Sequence, residues 1–119
     1  MNSKDGTFEK QKRIRYQLKV ADEDYEKHSN KLEGLKEAQQ DYQMGINQGK
    51  RLLDELEYYW QGDEAQHFIF QIKDELFQEE REINERFYDR HDEMEREKRR
   101  LQGCVQKLEN DYRKATRED

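Results

Sequence analysis

The chain has 119 residues, 31% hydrophobic and 44% charged, with a net charge of -6, one cysteine and no proline. That length holds one domain at most, and so little apolar material cannot fill a thick globular core. Two states remain, disorder or elongated helices sharing one narrow apolar seam, and the spacing of the apolar residues separates them.

The first residues, Met1 to Lys12, lack the apolar run of a secretory signal, and no stretch approaches the roughly 20 apolar residues of a membrane span. A soluble protein made in the cytoplasm is expected. From Ile14 onward, steps of four and three residues meet Leu18, Ala21, Tyr25, His28, Leu32, Leu35, Gln39, Tyr42, Ile46, Gly49, Leu53, Leu56 and Trp60. Eleven of these 14 are apolar or aromatic, and a 3.5-residue repeat keeps one seam turned toward a partner helix. A first helix over about 7–59 follows, with Asp5 or Thr7 as its N-cap. With no proline to remove a backbone donor, nothing interrupts it. Gly45 and Gly49, one turn apart, either admit a close-packed neighbour or simply weaken the helix, at about 1 kcal/mol each relative to alanine.

Trp60, Gln61 and Gly62 follow, then Asp63 with Gln66 three places on. Glycine accepts the left-handed backbone that ends a helix, and the Asp63–Gln66 spacing is that of a capping box. A turn over 60–63 and a second helix over about 64–116 are predicted. The second seam runs through Ile69, Ile72, Leu76, Ile83, Phe87, Met94, Leu101, Val105, Leu108, Tyr112 and Ala115, and its phase slips between Ile83 and Met94. Such a slip relaxes supercoiling locally without breaking a helix. Glu9–Arg13, Glu23–Lys27, Glu82–Arg86, Glu95–Arg99 and Glu109–Arg113 have the spacing of surface ion pairs worth about 0.2–0.5 kcal/mol each. Folding back about Gly62 sets Leu56 near Phe68, Tyr42 near Ile83, Leu35 near Arg90 and Ile14 near Tyr112. The expected fold is therefore all-α, a single-domain long antiparallel two-helix hairpin over 1–119. The competing arrangement is one continuous parallel coiled coil with a second copy.

The residues hold no catalytic constellation. No glycine-rich phosphate loop, nucleophile elbow or His-Glu-x-x-His occurs, and a thin hairpin has no concave pocket to exclude water. Glu64 and His67 have the spacing used in di-iron bundles, but such sites need a second pair and two further glutamates. His28, on the seam, reads as a partly buried, hydrogen-bonded spacer. Cys104, the only cysteine, reads as a small apolar side chain with no intrachain disulfide. Neither an enzyme nor a metal or cofactor site is expected. Interleaved charges disfavour nucleic acid and anionic membranes, and the cluster Arg96, Lys98, Arg99, Arg100 reads as a solvated helix face. The informative surplus is aromatic. Leu52, Tyr58 and Tyr59 in the first helix and Phe68, Phe70, Phe77 and Tyr88 in the second lie off the seams. Phe70 and Phe77, one heptad apart, form either a protein interface or a wider local core.

Trp60, Gln61 and Gly62 read Trp-x-Gly in the turn of a helical hairpin with nearly equal arms. In this the chain resembles the WXG superfamily of small type VII secretion proteins. Its high charge and length make it similar to the WXG-like helical partners of LXG toxins in Gram-positive bacteria. The resemblance implies a non-catalytic targeting chaperone that binds the helical N-terminal domain of such a toxin alongside a second small helical protein. Its docking residues would be Leu52, Tyr59, Phe68, Phe70 and Phe77, with Trp60, Gly62 and Asp63 shaping the tip. Such a protein works in the cytoplasm and is exported, if at all, with its toxin. The superfamily's Tyr-x-x-x-Asp/Glu signal follows the second helix, whereas here Tyr112 is followed four places on by Thr116. Tyr88 with Asp92 has the signal's spacing, as does Phe70 with Asp74 in its Phe form, but inside the second helix. The alternative function is a structural coiled coil that self-associates into a four-helix bundle without any role in secretion.

Overall fold

The computed structural model describes residues 3–117 and contains two helices, α1 (Ser3–Tyr59, 57 residues) and α2 (Asp63–Arg117, 55 residues). Among the described residues only Trp60, Gln61 and Gly62 lie outside them, and the chain is an all-α helical hairpin. α1 begins four residues before Thr7, so neither Asp5 nor Thr7 caps it. Once nucleated, a helix gains one hydrogen bond per added residue. Gly6, at about 1 kcal/mol relative to alanine, is too small an obstacle to stop it.

The turn corrects a second expectation. The amide of Trp60 donates to the Leu56 carbonyl at 2.7 Å, and the amide of Gln66 donates to the Gly62 carbonyl at 3.0 Å. The residue whose carbonyl accepts a helix's first bond is its N-cap, so the cap is Gly62, and Asp63 is already the first helical residue. Gly62 has φ +123°, a conformation open to glycine and strained for an L side chain. Asp63 and Glu64 occupy the first turn of α2, where carboxylates meet the positive end of the helix dipole.

Two compact units make up the chain, Met1–Leu32 with Glu93–Asp119, and Glu33–Asp92. In the first, the helices run antiparallel. Gln11 Nε2 donates to the Ala115 carbonyl (3.2 Å), Arg15 Nη2 to the Tyr112 hydroxyl (3.0 Å), and His28 Nε2 to the Met94 carbonyl (2.7 Å). The Arg15 guanidinium also stands 5.8 Å from the Tyr112 ring centroid. Ile14, Leu32, Met94 and Ala115 are its buried core. In the second unit, Ile46, Leu53 and Ile69 are buried. There Tyr42 packs against Phe87, centroids 6.1 Å apart, one turn beyond Ile83. All seven buried residues are seam positions.

The α2 seam is fuller than its apolar residues show. Lys73, Glu80, His91 and Lys98 are half-buried, and with them the steps run Ile69, Lys73, Leu76, Glu80, Ile83, Phe87, His91, Met94, Lys98, Leu101. Two successive steps of four, from Ile83 through Phe87 to His91, make the phase slip an eleven-residue interval, close to the period of a straight helix. Long polar side chains lie along the seam by their aliphatic stems while their heads reach water or a partner.

Gly45 and Gly49 do not serve close packing. A Cβ on Gly45 would meet nothing within 4 Å, and one on Gly49 would sit 3.9 Å from Leu76 Cδ2, an ordinary contact. Both only weaken α1. Cys104 is exposed and not part of the core. Of the expected surface pairs, Glu9–Arg13, Glu23–Lys27, Glu82–Arg86 and Glu109–Arg113 are not formed among the described residues; Arg81–Glu85 and Glu97–Arg100, which were not expected, are formed instead. Exposed pairs gain so little that side-chain entropy offsets them. No helix among the described residues is long and apolar enough to cross a membrane.

Candidate protein-docking surface

The seam of α1 runs out into solvent before the turn. Every position from Ile14 to Leu53 is at least half-buried, but Leu56 and Trp60 are exposed. Around them the Glu33–Asp92 unit exposes Met44, Leu52, Tyr58, Tyr59, Phe68, Phe70, Phe77 and Tyr88, while among the described residues of the other unit the exposed large apolar side chains are Phe8, Tyr16 and Val20. Tyr58 and Tyr59 meet edge to face at 5.1 Å.

The five expected docking residues are all exposed, but they occupy two flanks. Leu52 and Tyr59 are seven residues apart, as are Phe70 and Phe77, so each pair lies along one line of its helix. Phe68 and Phe70, two residues apart, lie on opposite sides of the α2 seam. The Lys50 ammonium stands 4.9 Å from the Phe77 ring centroid, and Lys50 leaves α1 on the side of the seam away from Leu52. Phe70 and Phe77 therefore share a flank with Lys50, and Tyr88, eleven residues beyond Phe77, continues it. In an antiparallel pair the other flank carries Leu52, Tyr59 and Phe68. The structure thus supports neither a single five-residue face nor a wider local core.

The Phe77 flank is tied by ions. Lys50 Nζ meets Glu80 at 2.8 Å, and Gln43 Nε2 donates to the same carboxylate and to Asn47 Oδ1. Asn84 Nδ2 donates to Gln43 Oε1 at 3.4 Å, while Lys73 bridges Asp54 (3.0 Å) and Glu57. Lys50, Asp54, Lys73, Leu76 and Phe77 line a shallow groove there. None of this network was singled out from sequence. Its signal was present, because continuing the four-and-three spacing of α2 lands on Lys73 and Glu80.

Two groups here titrate above their ordinary values. Burial pushes the Tyr42 phenol up, aided by the Glu79 and Glu80 carboxylates. The Lys73 ammonium is held up by its hydrogen bonds to Glu57 and then Asp54, against a smaller opposing effect of burial. Both bind their protons more tightly folded than unfolded. Their stabilisation is complete below the unfolded values of about 10 for Tyr and 10.4 for Lys, and is lost as pH rises through the folded ones. The urea midpoint is expected to hold to about pH 10 and then fall. The fall should be shallower in Tyr42→Phe/Lys73→Met; equal alkaline slopes in the two proteins would refute this assignment.

Elsewhere the sequence candidates are dispersed. His28 is half-buried, and since a carbonyl only accepts, its Nε2 carries the proton donated to Met94. Among the described residues no group of three or more His, Cys, Asp or Glu is placed to hold a metal ion, Glu64 and His67 included. In the basic cluster, Arg100 binds Glu97 at 2.6 Å and holds its carboxyl below the usual range, and Lys98 is half-buried. Tyr88 is exposed and Asp92 half-buried, both within α2.

Residues 9–115 match the model of a family described as protein of unknown function (DUF3958). The chain belongs to DUF3958. The matched stretch includes the whole turn, both flanks and all seven buried residues. No curated protein and no solved structure is significantly similar to this DUF3958 chain.

Proposed function

We propose that this DUF3958 protein is a non-catalytic helical adaptor. It binds the helical N-terminal domain of an LXG-type toxin, together with a second small helical protein, and prepares them for type VII secretion. The Trp-x-Gly hairpin supports the reading through its resemblance to the WXG superfamily. The observation that carries it is the concentration of exposed Leu52, Tyr59, Phe68, Phe70 and Phe77 in the unit that contains the turn. Clustered exposed aromatics on a thin helical scaffold mark a protein interface, and helices recognise such surfaces by laying an apolar stripe into the groove between two others. Two separate flanks suit two partners. Each Leu or Phe side chain fully covered contributes about 1.5–3 kcal/mol, so the Phe70 and Phe77 pair is a large share of any one contact.

Co-purification with an LXG toxin's N-terminal domain tests the reading. Phe70→Ser/Phe77→Ser is expected to abolish it and to leave the circular dichroism of the free chain unchanged, because both rings are exposed. Unchanged co-purification would remove this flank from the interface. A wild-type chain that ignores the toxin domain and sediments as a four-helix homodimer would favour the structural coiled coil instead.

A further inference from the structure

The two apolar flanks of the Glu33–Asp92 unit differ in charge. On the Phe77 flank, Lys50 and Lys73 are matched within the chain by Glu80, Asp54 and Glu57. On the Leu52 flank, Glu75, Glu79 and Glu82 follow Phe68 by 7, 11 and 14 residues and Arg86 by 18, so three acids and one base extend its line along α2. Among the described residues no ion pair or hydrogen bond engages these three carboxylates. Across the seam, Gly45 lies one heptad before Leu52 and adds no side chain to this flank; a Cβ there would meet nothing within 4 Å. The whole unit carries 16 Asp and Glu against 7 Lys and Arg, whereas the rest of the chain carries 13 against 16.

We propose that the Leu52, Tyr59 and Phe68 flank docks an amphipathic helix of another protein whose apolar stripe is edged with Lys and Arg. This rests on the adaptor reading and adds the chemistry of the partner. Such edges would neutralise carboxylates that the chain leaves uncompensated, while an acidic helix would be repelled from the same apolar bed. A second copy is the poorer occupant. Its own Leu52 flank repeats the acids, and the described residues of its basic unit expose only three large apolar side chains, too few for the roughly 800 Å² per partner of a stable interface.

Two synthetic helical peptides with the same leucine stripe, one edged with Lys and Arg and one with Glu, test this against the full chain by fluorescence anisotropy. The basic peptide should bind at least about tenfold more tightly at ~50 mM salt, with the preference shrinking at ~500 mM. Leu52→Ser/Phe68→Ser should abolish its binding, Phe70→Ser/Phe77→Ser should leave it intact, and Glu75→Lys/Glu79→Lys should reverse the preference. Equal binding of both peptides, or loss through Phe70 and Phe77 instead, overturns the proposal while the adaptor reading stands. Failure of both peptides to bind, with a homodimer that Leu52→Ser/Phe68→Ser dissociates, overturns it in favour of a second copy. The adaptor reading falls separately, if the toxin domain fails to co-purify with the wild-type chain.

Discussion

Leu32→Ala and Ile69→Ala are each expected to destabilise the chain by about 2–5 kcal/mol, the range for emptying a closely packed site. Both side chains are only 2% exposed, in a seam one residue thick, so no second layer can collapse into the gap. A domain of ordinary stability has about 5–15 kcal/mol in all, and helices of this kind owe most of theirs to packing of one face. Each substitution should therefore lower the urea midpoint sharply, and loss of helicity should accompany it, because the helices have little other support. Ile69 tests the unit containing the turn and Leu32 the other. Leu52→Ala is the control: 60% exposed, it should change stability by no more than about 0.5 kcal/mol. Equal effects at Leu52 and Leu32 would show that the seam is not where the stability lies.

The second large effect concerns two glycines and has opposite signs. Gly62→Ala should destabilise by roughly 1–2 kcal/mol, because φ +123° brings any Cβ against the backbone, and Gly62→Val should cost more. Gly103→Ala should stabilise by about 0.5–1 kcal/mol. Gly103 lies within α2, and a Cβ there would meet nothing within 4 Å. Thermal melts of the two alanine variants decide the matter. Stabilisation by both would mean that the chain does not need its reversal at Gly62.

The hairpin was legible because its signal is periodic and repeated. Each buried residue sits where steps of four and three had put it, and the slip between Ile83 and Met94 survives as an eleven-residue interval. Features set by one or two atoms were not legible. Asp63 has the right residue type for a cap, but the Gln66 amide donates to the carbonyl of Gly62, which takes the role. Lys73, Glu80, His91 and Lys98 were missed because an apolar pattern counts their heads and ignores their stems. The docking residues were found as a set by their surplus. Their division into two flanks required the position of Lys50 over Phe77, a contact between residues 27 apart in sequence that no local pattern contains.

The fold-back itself can be tested through the ion pairs that span it. Lys50 and Glu80 lie 2.8 Å apart and Lys73 and Asp54 3.0 Å, close enough for a zero-length carbodiimide to join each amine to its carboxylate. With an equal mixture of 15N-labelled and unlabelled chains, the hairpin should give Lys50–Glu80 and Lys73–Asp54 cross-links within single chains and no mixed-isotope products. Cross-links of mixed isotope composition, with these intrachain products missing, would show that the helices pair between copies and that no hairpin exists.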